Sequence, residues 1–480
     1  MEDYKDAEGT TDIQVSQQGE AVPAAATGAG TVSAPKPALG ITDAIAVIVG
    51  IVVGAGIFRT PSLVAANSDS GTMFMATWLL GGLVSLIGAL CYAELTTTFP
   101  NAGGDYHFLT RAFGKKPAFL FAWARMSVIQ TGSIALLAFI IGDYLAQIYS
   151  IGSFASVIYA ALVVIVLTGI NIIGISVGTG TQKLLTALEI LGVLLVIVAG
   201  LFFAPPETEA ISTTAAVAEN NNSLGLAMVF VLLTFGGWNE AAYISAELKS
   251  GRKGMATVMI LSICIITAIY LLINLSYLHV LGLDGMSQSS AVAGDLMQAT
   301  FGEGGLVLIG LLVAVAALTS VNATIFTGAR TNYALGRDFP VFGLLGKWNE
   351  QTSSPVNAFL VQGGISLALI GLGFITRNGF ETIVEYTAPV FWFFLFLVGI
   401  ALFVLRRKEP DLYRPFRVPL YPVTPLIFCI TSAYLFYSSL VYTGLGALVG
   451  VAVLLLGVLI LFSLPMLSRL QQNKGTPKGI

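Results

Sequence analysis

Apolar runs long enough to cross a bilayer recur from residue 41 almost to the end of the chain, separated by short polar loops. A span needs about 20 apolar residues. We read twelve, at about 41–66, 73–98, 118–148, 153–175, 182–203, 224–247, 257–280, 304–333, 356–375, 382–405, 425–443 and 446–467. Two of them are interrupted. The first contains Gly50 and then Gly54-Ala55-Gly56, where small residues strip the backbone of cover. Glycine costs about 1 kcal/mol in a helix interior, and a membrane offers no water to loosened N–H and C=O groups. One reading is close helix packing, because Gly50 and Gly54 form a GxxxG pair. The other is a backbone opened to face a ligand. The sixth span favours the second reading, because Thr234-Phe235-Gly236-Gly237-Trp238-Asn239 interrupts it in the same way. Two interrupted helices at corresponding places in two halves of a chain point to a transporter binding site.

The position of the breaks divides the chain. The second broken span comes five helices after the first, so residues 41–203 and 224–405 form two five-helix repeats. With an odd number of spans per repeat, the second starts from the opposite side and the repeats are inverted. Spans eleven and twelve, 425–467, fall outside the pair. Residues 1–40, rich in Ala, Gly, Thr, Pro and acids, bury no core and are expected to be a disordered tail. Residues 468–480 form a second tail. The expected fold class is thus an all-α membrane protein of twelve transmembrane helices, with helices 1 and 6 broken.

Composition agrees: of 480 residues, 56% are hydrophobic and 10% charged, which leaves too little charge for a soluble surface. The placement of charge adds orientation. One set of alternating loops and tails holds nearly every Lys and Arg outside the spans, while the other set holds only Arg59 and Arg377. The positive-inside rule puts the first set, and both termini, in the cytoplasm. We expect a multi-pass protein of the plasma (inner) membrane. Cys91, Cys264 and Cys429 are far apart, and His107 and His279 are isolated, so neither a disulfide framework nor a metal site is expected. No phosphate loop, nucleophile elbow or H-E-x-x-H motif is present. We therefore expect no enzyme, no cofactor and no nucleic-acid partner.

The chemistry of the breaks is specific. An opened helix exposes the N–H groups and partial positive charge of its second half, which suit a carboxylate. The N–H groups of Ala55, Gly56 and Ile57 would serve, with Gly54 in the same substrate-binding segment. The ends of the first halves present carbonyls suited to an ammonium group, from Val52, Val53 and Phe235. Such paired cradles describe a site for a zwitterionic α-amino acid, with Gly236 and Gly237 allowing close approach and Phe235 and Trp238 lining the side-chain pocket. For Trp238 alone, ordinary packing explains the residue equally well.

Several stretches together resemble amino-acid permeases of the amino acid–polyamine–organocation superfamily, in look nearest to its L-type and bacterial exchanger-like branch. They are Gly54–Phe58, Pro100-Asn101-Ala102-Gly103-Gly104-Asp105-Tyr106, Trp123, Ala135 to Tyr144, and Phe235 to Glu247. Gly328-Ala329-Arg330, Leu335-Gly336-Arg337-Asp338, Pro355-Val356-Asn357-Ala358 and Arg414-Pro415-Phe416-Arg417-Val418-Pro419 continue the series in order. The resemblance implies a LeuT-type five-plus-five inverted fold, alternating access, and substrate held at the two unwound segments. One departure stands out. Many sodium-independent members carry a lysine in the fifth span, in place of a sodium ion beside the first break. Here the stretch reads Thr186-Ala187-Leu188-Glu189-Ile190-Leu191, with a glutamate at that position.

Ionisable residues inside membranes are functional by default. Arg125 and Glu189 each lie about 10 Å into their spans from the same side. Glu189 has three readings: a partner for Arg125, a proton carrier, or a side chain idle in a water-filled vestibule. Glu240 is a further gating or coupling candidate. Thr319 and Ser320 offer hydroxyls to a coupling ion, and a proton or sodium is open. Glu94, Asp143 and Glu385 sit nearer the span ends, where solvation is expected. Two other functions remain beside amino-acid transport: transport of a polyamine or other amine, and a transporter-like membrane sensor or subunit.

Overall fold

The computed structural model describes residues 40–101, 103–173, 179–203, 224–244, 248, 251–349, 354–376, 379–441 and 445–474. Except for Gly40, the tail expected over residues 1–40 lies outside them, as do Glu247 and Arg377. Each of the twelve apolar runs coincides with a helix or a broken helix. The first run is α1 (Ile41–Val52), a single tight turn over Ala55–Phe58, and α2 (Thr60–Ala65). Then come α3 (Gly71–Thr98), the short loop helix α4 (Gly104–Phe113), α5 (Lys115–Ala124) and α6 (Gln130–Ile148). A π-turn over Arg125–Ile129 joins α5 and α6 into one span. Next are α7 (Ala155–Ile173) and α8 (Thr179–Val198). The sixth run is α9 (Leu224–Thr234), a turn over Trp238–Glu240, and α10 (Ala241–Ile244). The last six are α11 (Gly251–Gln288), α12 (Val292–Asp338), α13 (Val356–Thr376), α14 (Gly379–Lys408), α15 (Val423–Val441) and α16 (Leu445–Lys474).

Among the described residues, nine helices are long and apolar enough to cross a membrane, and the stretches Ala44–Phe58, Ala187–Phe203 and Leu224–Glu240 are shorter apolar helices. Two of those three are the broken spans, shortened by their breaks. Boundaries differ from the sequence reading where apolarity and helicity part company. α11 and α12 run well past their apolar cores and bend at Gly282 and Gly302. α16 continues through the expected C-terminal tail to Lys474, because nothing between residues 468 and 474 breaks a helix.

Packing follows the repeat. α3 packs on α11, α6 on α12 and α7 on α13. In a five-plus-five arrangement these are the second span with the seventh, the third with the eighth and the fourth with the ninth, pairs related by the two-fold of an inverted repeat. Buried hydroxyls in these helices return their protons to the carbonyl one turn back, as Thr96, Thr97 and Thr234 do. That keeps polar atoms satisfied without water. Outward apolar side chains such as Leu448, Leu459 and Phe462 of α16 stay exposed, as a lipid-facing surface requires.

Two ion clusters, one buried and one part-buried, mark the ends of the bundle, and they correct the expectation that Glu94 and Asp143 are solvated. Glu94 is almost fully buried. Arg406 donates to both its carboxylate oxygens, Arg414 Nε lies 3.3 Å away, and the Val418 N–H donates at 2.8 Å. At the other end, Arg59 Nη2 donates to Glu381 at 2.9 Å and its Nε lies 3.7 Å from Asp143, which also accepts from Ser156 at 2.6 Å. Span ends here are covered by neighbouring loops and helices, which removes the water that proximity to a surface suggested. α14 links the clusters: Glu381 is at its start and Arg406 in its last turn. The separation along the axis is roughly 38 Å at 1.5 Å per residue, more than the hydrocarbon core of about 30 Å.

Candidate functional site

The two breaks meet. α1 ends at Val52 and α9 at Thr234, and the Tyr270 hydroxyl of α11 lies 2.6 Å from the Val52 carbonyl and 3.0 Å from that of Thr234. One phenol thus bridges both broken ends. The second break turns on Gly237, with φ +105°, a conformation that side chains rarely tolerate. A Cβ there would lie 3.0 Å from Cγ2 of Ile51, so the absence of a side chain also lets the two breaks approach.

A cavity of about 470 Å³ opens at this junction. Gly54 and Gly56 line it from the first break, and Thr234, Gly236 and Gly237 from the second. Thr319 and Ser320 of α12 and Glu189 of α8 form part of its wall, as do Phe121 of α5 and Phe380, Phe391 and Phe394 of α14. Toward the face that carries α4, it reaches Asp105, Arg125 and Glu240. Toward the other, it ends under Phe380 and Thr60, both buried, with the Arg59 guanidinium 5.7 Å from the Phe380 ring centre. At the first break the N–H groups of Gly54, Ala55 and Gly56 find no backbone partner among the described residues, while that of Ile57 reaches the Gly54 carbonyl at 3.4 Å.

The predicted site residues fall into two groups. Val52, Gly54, Gly56, Gly236 and Gly237 line the cavity, and so do Glu189, Arg125, Glu240, Thr319 and Ser320. Val53 and Ile57 are fully buried beside it. Ala55 lies in the tight turn between them. Phe235 and Trp238 do not line the cavity, contrary to expectation. Phe235 is fully buried against Trp78 and Tyr270, and Trp238 packs edge-on to Tyr92. The turn at Gly236-Gly237 swings both aromatics to the far side of the stretch of chain whose backbone faces the cavity. Val52's carbonyl, reserved by the sequence reading for an ammonium group, is already held by Tyr270.

Arg125 and Glu189 do not pair as the first of the three readings has it. Arg125 Nη2 donates to Glu240 at 3.2 Å. Glu189 is buried, and its Oε1 has no hydrogen-bond partner among the described residues. Thr319 and Ser320 spend their hydroxyl protons within α12, on the Val315 and Ala316 carbonyls. Helix-to-helix bonding falls instead to Asn322, which accepts from Asn171 at 2.7 Å. Asp105 belongs to the site and was missed as a site residue. Burial pushes its carboxyl up to about 7, against the opposing influence of Tyr92, Arg125 and Asn239. Its place in the Gly103-Gly104-Asp105 turn, an acid directly after paired glycines, was the available signal. The aromatic wall of α14 left none: Phe391 and Phe394 sit in a run that is apolar on every face, and Phe380 is a single aromatic beside Glu381 at the helix start.

Comparisons with known proteins agree with this architecture. The b(0,+)-type amino acid transporter 1 of Mus musculus is 28% identical over 413 residues, covering 84% of this chain and 82% of its own. The protein of the same name from Homo sapiens is 29% identical over the same length. The large neutral amino acids transporter small subunit 2 of Homo sapiens is 28% identical over 467 residues, covering 93% of this chain and 83% of its own. The amino acid permease family matches residues 39–465. The chain belongs to that family, within the amino acid–polyamine–organocation superfamily.

Proposed function

We propose that the protein is a secondary-active transporter that moves a zwitterionic α-amino acid across the plasma membrane by alternating access. One observation carries the reading: both broken helices open into a single cavity, between two ends of the bundle closed by separate ion clusters. The unpartnered N–H groups of Gly54, Ala55 and Gly56 hold the substrate carboxylate. The ammonium group sits against carbonyls at the broken ends, and the phenylalanines of α14 border the side chain. The loops rich in Lys and Arg face the cytoplasm. The test is counterflow. Vesicles containing purified protein and loaded with an unlabelled amino acid should transiently accumulate labelled substrate, whereas binding without accumulation identifies a sensor.

The charge of the cavity favours a second reading, transport of an amine. Asp105, Glu189 and Glu240 outnumber Arg125 along its wall. The two readings part on the substrate carboxylate. If an amino acid amide competes in counterflow as well as its parent acid, the first break does not hold a carboxylate and the amine reading takes over. At least a tenfold weaker amide supports the zwitterion.

A further inference from the structure

Among the described residues, three acids line the cavity, and they differ in their partners. Glu240 has Arg125 at 3.2 Å, and Asp105, which has no described arginine within 4 Å, has the side chains of Tyr92 and Asn239 as hydrogen-bonding neighbours. Glu189 Oε1 is sealed from solvent and has no donor among the described residues. Two further oxygens lie close to the first break beside it. The point where a Gly54 side chain would begin lies 3.6 Å from the Ile51 carbonyl, 3.9 Å from Glu189 Oε1 and 3.9 Å from Ser320 Oγ. Ser320 directs its proton to the Ala316 carbonyl at 3.3 Å, so it presents lone pairs here. α1 ends one residue past Ile51, and the carbonyl end of a helix carries partial negative charge. A buried carboxylate oxygen that meets no donor leaves its charge uncompensated, and such a group takes up a positive one.

We propose that Glu189 is the proton-binding group of the transport cycle, so that one proton crosses with each substrate molecule. The inference rests on the transport reading above. A hard cation needs several oxygens at about 2.0–2.6 Å at once, whereas a proton needs only one, and the unpartnered Oε1 of Glu189 offers it. The remaining charged neighbours leave the role to Glu189. On α11, Tyr270 is the titratable side chain that interacts with it, and its hydroxyl serves the two broken ends. The first break contributes Gly54 and α12 contributes Thr319 and Ser320, none ionisable. On α8 itself, the side chain of Lys183 lies outside the described residues. Across the cavity, Arg125 is engaged by Glu240, and Asp105 is the remaining acid. The balance is simple. The substrate enters with zero net charge, Glu189 takes a proton from the side of entry and releases it on the other, and one positive charge crosses per turnover.

The test uses the full chain in vesicles, with the membrane potential clamped and a one-unit pH gradient, lumen alkaline. One proton per substrate supports about tenfold accumulation per pH unit, and a dye in the lumen should report acidification when substrate is added. Glu189→Gln copies the shape of the protonated acid. In that variant the ratio of gradient-driven accumulation to counterflow should fall about tenfold. Glu189→Asp, which keeps a carboxyl, should retain the drive with a displaced pH profile and guards against misfolding of the first variant. Undiminished gradient-driven accumulation in Glu189→Gln overturns the proposal. So does wild-type accumulation that follows a sodium gradient, which would make the occupant a metal ion, or that ignores both gradients while counterflow persists. Absence of wild-type counterflow is a different failure and strikes the transport reading itself.

Discussion

Arg125 shows how much of a contact is set by depth and how much by direction. It lies at the same depth as Glu189, and depth is readable at 1.5 Å per residue. Direction is not. Arg125 opens the π-turn Arg125–Ile129, and the extra residue of such a turn rotates the rest of the helix by about 100°, with no mark in the hydrophobic pattern. The arginine therefore meets Glu240, whose side chain is 34% exposed. With water so near, the pair contributes on the order of 1 kcal/mol. Arg125→Gln and Glu240→Gln should each lower stability by about that amount and combine less than additively, while Arg125→Gln and Glu189→Gln should simply add. The melting temperatures of the two double mutants distinguish them. Asp105 gives a pH signature. Burial raises its carboxyl from 3.8 to about 7, so between those values the folded protein binds more protons than the unfolded chain. Stability must then fall as pH rises through that window, by at most about 1.4 kcal/mol per unit. The contribution is most favourable below pH 4 and fully lost above about 7. Asp105→Asn should flatten that part of the stability curve, and an unchanged slope would show that another group governs it.

At the level of elements, the breaks were legible because they violate a rule the rest of the chain obeys. Gly54-Ala55-Gly56 and Gly236-Gly237 are small residues in spans otherwise built of branched and aromatic side chains, and the chain opens at both. What each break presents to the cavity was not legible. Phe235 and Trp238 neighbour the turn in sequence, but the positive φ of Gly237 carries them to the packed side. Tyr270, far along the chain, ties the broken ends together and carries no local signature. The two glycine sites should respond differently to substitution. Gly237→Ala puts a Cβ into a conformation that costs side-chain-bearing residues about 1–2 kcal/mol, 3.0 Å from Ile51 Cγ2. It should destabilise the protein whether or not ligand is present. Gly56 has room for one carbon, with Thr234 Cγ2 at 3.5 Å. Gly56→Ala should leave folding and binding nearly intact. Gly56→Val, whose methyls cover the neighbouring N–H groups, should melt within a few degrees of wild type yet lose the ligand-induced stabilisation. A full ligand shift in Gly56→Val would show that those N–H groups do not hold the substrate.

At the level of the whole molecule, the cavity is closed more firmly at one end than at the other. Near α4 the barrier is the Arg125–Glu240 pair, within reach of solvent. At the opposite end, Arg59 donates to Glu381 at 2.9 Å, to the Ser289 carbonyl at 2.9 Å and to Ser62 Oγ at 2.8 Å, with Asp143 at 3.7 Å. The latch joins the second half of the first span to the ends of α6 and α11 and the start of α14, so it ties both repeats at one point. Arg59 was visible in the sequence as a nearly solitary cation among acidic loops, but its partners lie far from it along the chain and only folding assembles them. Hydrogen bonds to charged groups contribute about 1.5–3 kcal/mol each. Losing one shifts a two-state equilibrium at least tenfold, because about 1.4 kcal/mol is a factor of ten. Arg59→Gln should therefore raise the population open on the Arg59 side. The shift can be read as the labelling rate of a cysteine at Ser133, which lines the cavity, with Cys264, the exposed native thiol, replaced. A membrane-impermeant thiol reagent applied from that side should react at least tenfold faster in Arg59→Gln than in wild type. Saturating substrate should slow the reaction by occupying the cavity. Arg125→Gln, which loosens the other end, should leave this rate unchanged or lower it. Equal labelling of wild type and Arg59→Gln would mean that the Arg59 cluster holds the bundle together without gating it.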